Sequence, residues 1–145
     1  MKISAAIVSL PLFFGIAACK SSANSENEKV SIPFTGQWER KFNTGPDNVQ
    51  HVVYSVFDDS IRYTMTGLIQ SDYLLKRDTF ILSDNRFIGH DSDDRYFLIF
   101  VKEFGDSLSL YKQEVEDSRA GLSVEFPSDS VEQAHFGGWN TFHKK

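Results

Sequence analysis

The sequence predicts an all-β fold, a small antiparallel meander closed into a barrel of about eight strands. Short apolar runs with a two-residue period recur along the chain, and breaks rich in Asp, Ser, Asn and Gly separate them. No stretch longer than a turn or two carries a helical apolar stripe with caps.

Taken in order, Val49–Phe57 is rich in aromatic and β-branched residues and apolar on both faces in places. Ile61–Gln70 alternates, placing Ile61, Tyr63, Met65 and Ile69 on one face and Arg62, Thr64, Thr66 and Gln70 on the other, interrupted by Leu68. Tyr96–Phe104 is again apolar on both faces, and Leu122, Val124 and Phe126 alternate with Ser123 and Glu125 as a further expected strand. The predicted breaks are Asp58-Asp59-Ser60, Lys76-Arg77-Asp78, Ser83-Asp84-Asn85, Asp91 to Asp94 and Gly105-Asp106. A short helix is expected at most over Ser128–Ala134, where Ser and Asp precede Glu and Gln. Even spacing and short connections favour a barrel over a two-sheet sandwich, because closure removes both exposed edges. The large side chains Tyr63, Met65, Phe97 and Phe126 are expected to point inward and meet across the centre.

Length and charge narrow the function classes. With 145 residues the chain suits one ordinary core, and a net charge of −5 argues against a basic nucleic-acid binder. Thirteen Phe argue against a disordered chain, and one Cys cannot form an internal disulfide.

The N-terminus is the most informative stretch. Met1-Lys2 is positively charged, and the sixteen residues Ile3–Ala18 are apolar apart from Ser4 and Ser9. The run is short for a membrane span and suits a secretion signal. It ends on Ile16-Ala17-Ala18-Cys19 and resembles a bacterial lipoprotein signal peptide. That resemblance implies removal of residues 1–18 and acylation of Cys19, so that membrane lipid is a partner through the acylated thiol. Several acyl chains on one residue would make a stable anchor. Lys20 stands where the family's inner-membrane retention signal has Asp, which implies the outer membrane. Residues 19–31 read as a polar, flexible tether whose last twelve residues span about 20 Å, and residues 32–145 as the barrel domain.

A second resemblance lies in Phe34-Thr35-Gly36-Gln37-Trp38. Gly-x-Trp at the start of a first strand is similar to the opening motif of the lipocalin and calycin superfamily. The resemblance implies an antiparallel barrel in which Gly36 lets the backbone approach closely and Trp38 closes the floor.

Chemistry-bearing patterns are sparse. No Gly-x-Ser-x-Gly elbow is present, no catalytic residue is assigned and no enzyme activity or cofactor is expected. His90-Asp91-Ser92-Asp93-Asp94 could offer oxygen ligands to a hard cation but lacks the EF-hand pattern, and it reads as a polar turn. His51, His135 and His143 match no compact zinc or copper spacing, so no metal site is assigned. Candidate partner-binding residues are the acidic turn Asp91, Asp93 and Asp94, which would steer a basic partner, and the tail aromatics Phe136, Trp139 and Phe142. The tail could instead be a last strand or strap whose aromatic residues cover an open end of the barrel. The leading expectation is a non-enzymatic, lipid-anchored envelope domain that recognises a protein or glycan, as an inhibitor or accessory protein, with no nucleic-acid partner. The alternatives are a carrier of a small apolar ligand in the barrel interior and a metal-handling lipoprotein. A cavity above about 300 Å³ would favour the carrier.

Overall fold

The computed structural model describes residues 30–129 and 138–145. Eight strands form a closed barrel in which each strand pairs antiparallel with its sequence neighbours and the last returns to the first. They are β1 (Gly36–Gly45), β2 (Asn48–Val56), β3 (Ser60–Thr66), β4 (Ser71–Ile81), β5 (Arg86–His90), β6 (Tyr96–Phe104), β7 (Ser107–Val115) and β8 (Trp139–Lys144). The expected lipocalin-like meander is therefore the fold. Among the described residues, one helix, α1 (Ser118–Ser123), lies between β7 and β8.

Alternation decides what fills the barrel. Trp38 on β1, Val52, Tyr54 and Val56 on β2, Ile61, Tyr63 and Met65 on β3, and Phe97, Ile99 and Val101 on β6 are all buried in one core. Tyr63, Met65 and Phe97 thus point inward as their period requires. The segment before β1 plugs one pole: Ile32 and Phe34 join this core, and the Trp38 indole N–H donates to the Phe34 carbonyl at 2.9 Å. Trp38 is 5% exposed.

Gly36 has a different reason from the one expected. Its φ is +132°, and a Cβ there would meet no atom within 4 Å. Glycine is required by the left-handed backbone conformation, not by a close approach.

Strand β6 is apolar on both faces because both faces are covered. Its outward residues Leu98 and Phe100 join Ile88 and Trp139 in a second buried cluster on the outer wall, with Tyr111, Val115 and Val124 packed against it. Helix α1 and the segment after it form a strap over that wall. The Asp117 carboxylate caps α1 by accepting from the Ala120 N–H at 2.7 Å. Gly121 permits contact with the wall, since a Cβ there would stand 2.9 Å from Ile88 Cδ1. Arg86 fastens the strap: its guanidinium donates to the Gly121 and Leu122 carbonyls at 3.0 and 2.7 Å, pairs with Asp84 at 2.7 Å and lies 4.8 Å from the Phe100 ring centroid.

Four expectations are corrected by this arrangement. Leu122–Phe126 is no strand; it is the end of α1 and an extended segment lying on the wall. Phe126 is outside the barrel, 42% exposed, with its ring 5.0 Å from Phe100 and 5.4 Å from Trp139. Lys76-Arg77-Asp78 does not break the chain, because β4 runs through it with a bulge between Arg77 and Thr79. Strand β3 also ends at Thr66, earlier than expected, which leaves Ile69 exposed. Residues 130–134 of the expected Ser128–Ala134 helix lie outside the described residues.

Candidate functional site

The inner wall changes character along the barrel. Near the plugged pole it is wholly apolar, but toward the other pole the inward register of β1 passes from Trp38 to Arg40, and that of β7 from Leu108 and Leu110 to Lys112. On β8 the same step, taken backward along the chain, leads from Phe142 to Asn140. Between these side chains lies a cavity of about 80 Å³, walled by Arg40, Val52, Tyr54, Tyr63, Leu110, Lys112, Gly138, Asn140 and Phe142. Two cations and two phenols line it, and no carboxylate does so among the described residues.

Lys112 sits in an aromatic cage. Its ammonium lies 4.2 Å from the Tyr63 ring centroid, 5.2 Å from Tyr73 and 5.7 Å from Phe97, and it donates to the Tyr73 hydroxyl. The cage is itself stacked, with Tyr73 between Tyr63 at 4.9 Å and Phe97 at 5.6 Å. Burial pulls the Lys112 amine down to about 8, and the positive charge of Arg95 adds to the effect. Cation–π attraction to three ring faces offsets part of the cost of holding the charge there.

Arg40 closes the other side. It donates to the Asn140 Oδ1, and its guanidinium lies 4.7 Å from the Phe42 ring centroid. Burial lowers its pKa from the ordinary arginine value. The Arg40–Asn140 bond crosses the β1–β8 seam, where ladder pairing is confined to Trp38 with Lys144 and Glu39 with His143. Tyr54, edge-on to Tyr63 at 5.1 Å and to Phe142 at 5.0 Å, completes the wall. Its hydroxyl is pushed well above the usual phenol range, first by burial and then by Tyr73 and Tyr63.

The residues expected to meet a partner fall elsewhere. Asp91 is buried: its carboxylate accepts from the N–H groups of Asp93 at 2.9 Å and Arg95 at 3.0 Å and pairs with the Arg95 guanidinium at 2.6 Å. Burial raises its pKa, but the Arg95 N–H, the Arg95 guanidinium and the Asp93 N–H outweigh that and leave it lowered. Asp91 therefore shapes the β5–β6 turn, and only Asp93 and Asp94 of the three are exposed. Trp139 and Phe142 form no exposed face: both lie on the last strand, β8, and both are buried. Trp139 is 4% exposed on the outer wall, where its indole N–H donates to the Ser128 carbonyl at 3.2 Å. Phe142 is equally buried, inside the barrel. Phe136 and Cys19 lie outside the described residues.

The described histidines have separate partners: His51 with Glu39 at 2.7 Å, His90 with Asp78 at 2.8 Å and His143 with the Ser107 hydroxyl at 2.9 Å. His135 lies outside the described residues. Among the described residues no three His, Cys, Asp or Glu side chains come together to hold a metal ion.

Sequence reasoning missed Arg40 and Lys112. Both could have been found by extending the two-residue period from Trp38 and from Leu108-x-Leu110, which places a cation at an inward position on each strand. Protein-family models, curated proteins and solved structures were all compared with the chain, and none matches it.

Proposed function

We propose that the domain binds a small organic anion, a short carboxylate, in the mouth of its barrel, and that acylated Cys19 holds it at the outer membrane. The observation that carries this reading is the pairing of Arg40 and Lys112 on one small cavity whose described lining contains no acid. An anion in the cavity would accept charge-assisted hydrogen bonds from both cations. The planar guanidinium suits the two oxygens of a carboxylate, the ammonium supplies a point charge, and the Tyr54 hydroxyl is a further donor. Val52, Leu110 and Phe142 form an apolar side for a short hydrocarbon tail.

Size sets the class of ligand. At about 80 Å³ the cavity is far below the 300 Å³ or so at which drug-sized pockets begin, which limits the small-ligand carrier of the alternative reading to a ligand of a few heavy atoms. Recognition of a macromolecule through the acidic turn loses support, since Asp91 is spent on its own turn.

Calorimetric titration of the full chain near pH 7 with acetate, butyrate and phosphate tests the reading. The short carboxylates should bind, and Arg40→Gln should weaken them at least about tenfold, the loss of one charge-assisted contact. Absence of carboxylate binding, or binding that Arg40→Gln leaves unchanged, would refute it.

A further inference from the structure

The plugged pole carries a ring of apolar tips. Every hairpin turn there exposes one large apolar side chain: Phe57 at the end of β2, Leu82 in the turn after β4 and Phe104 at the end of β6, at 52%, 58% and 62% exposure. Val30, 42% exposed, adds a fourth.

Hydrogen bonds tie these tips into one rim. Asp58, beside Phe57, accepts from the Ser31 hydroxyl at 2.8 Å and the Ile32 N–H at 3.1 Å, and Arg77 donates to the Val30 carbonyl at 2.8 Å. The Val101 N–H donates to the Asn85 carbonyl at 3.2 Å, joining the turn of Leu82 to the strand that ends in Phe104. The Lys144 N–H donates to the Asp106 carbonyl at 2.9 Å, bringing the C-terminus to the same rim.

The described chain begins at this rim. Residues 1–29, with the apolar run Ile3–Ala18 and Cys19, join the barrel at Val30, between Phe57 and β4. Ten polar or small residues, Lys20–Glu28 and Lys29, separate Cys19 from the first apolar tip. A membrane attachment at Cys19 therefore holds this pole, and not the opposite one, within tether reach of the bilayer.

We propose that the plugged pole docks on a bilayer surface, with Phe57, Leu82 and Phe104 entering the headgroup region and the Arg40–Lys112 mouth facing away. The proposal rests on the anchoring reading above, because the tether selects the pole. Partition of such tips follows the apolar area they bury. Asp58, Asp59, Asp84 and Asp106 stand at the rim against Arg77, Arg86, Lys144 and Lys145, so the rim has no cationic excess and suits a zwitterionic surface. Tethering raises the effective concentration of the rim at the membrane, which lets a few partly buried side chains suffice.

The test uses the acylated chain, residues 19–145, on phosphatidylcholine–phosphatidylethanolamine vesicles. Flotation of this chain against Cys19→Ser reports anchoring, and hydrogen exchange reports docking. Amides in residues 56–60, 81–86 and 103–107 should exchange at least about threefold more slowly on vesicles than in the unanchored chain. The exposed loop holding Leu68 and Ile69, at the opposite pole, should be unchanged. Phe57→Ser, Leu82→Ser and Phe104→Ser together should abolish the slowing while flotation persists. Flotation without slowing at the three turns, or slowing at Leu68 and Ile69 instead, overturns docking and leaves anchoring intact. A chain that does not float overturns both.

Discussion

Trp38→Ala should lower the unfolding free energy by about 3–5 kcal/mol, the cost of emptying a large aromatic core position. The indole is 5% exposed in the core that Ile32 and Phe34 also join, and its N–H satisfies the Phe34 carbonyl. Alanine would open a cavity beneath the plug and leave that carbonyl unpartnered, so both the transfer and the hydrogen-bond terms act in the same direction. In a domain of this size the loss takes up much of the total stability. Urea melts of the full chain measure it, and a change below about 1 kcal/mol would place Trp38 outside the cooperative core.

Lys112→Met should do the opposite to stability while removing function. The folded amine is at about 8 against an ordinary value of 10.5, so below pH 8 the folded protein carries the whole cost of a buried charge. Between pH 8 and 10.5 the unfolded chain binds more protons than the folded one, and stability therefore rises with pH across that window. The groups facing the amine are Tyr63, Tyr73, Phe97 and Arg95. Burial raises the pKa of both phenols above the ordinary tyrosine value. Methionine fills similar volume without the charge, so it should stabilise the domain near pH 7 by on the order of 2 kcal/mol and flatten the alkaline rise. Carboxylate binding should fall with it. A residue that costs stability and is needed for binding is the expected signature of a site. Thermal melts from pH 6 to 10.5 read both effects, and a destabilised variant would mean that Lys112 is a structural cation.

Much of the barrel was legible because its code is local. The period of two in Ile61, Tyr63 and Met65 places those side chains inward whatever the rest of the chain does. The outer wall was not legible in the same way. Leu98 and Phe100 alternate with Phe97, Ile99 and Val101, and nothing in a strand apolar on both faces says which face is the interior. Val124 and Phe126 misled for a related reason. An extended segment lying on an apolar wall also turns alternate side chains toward it, but it does so without ladder hydrogen bonds, and the sequence pattern carries no trace of that difference. Arg86 was hidden because its partners, the Gly121 and Leu122 carbonyls, are backbone groups about thirty-five residues away. The mouth was half legible: the register of β1 and β7 gives an inward cation on each strand, but only barrel closure brings those two strands to the same cavity.

The most direct test of the anion site is the titration of the Lys112 ε-methylene by NMR with and without saturating acetate. Without acetate the midpoint should lie near pH 8, and with acetate it should rise by about one unit or more, since an anion that binds the ammonium at least tenfold better than the amine must raise its pKa by that amount. The same midpoint in both titrations would contradict the account.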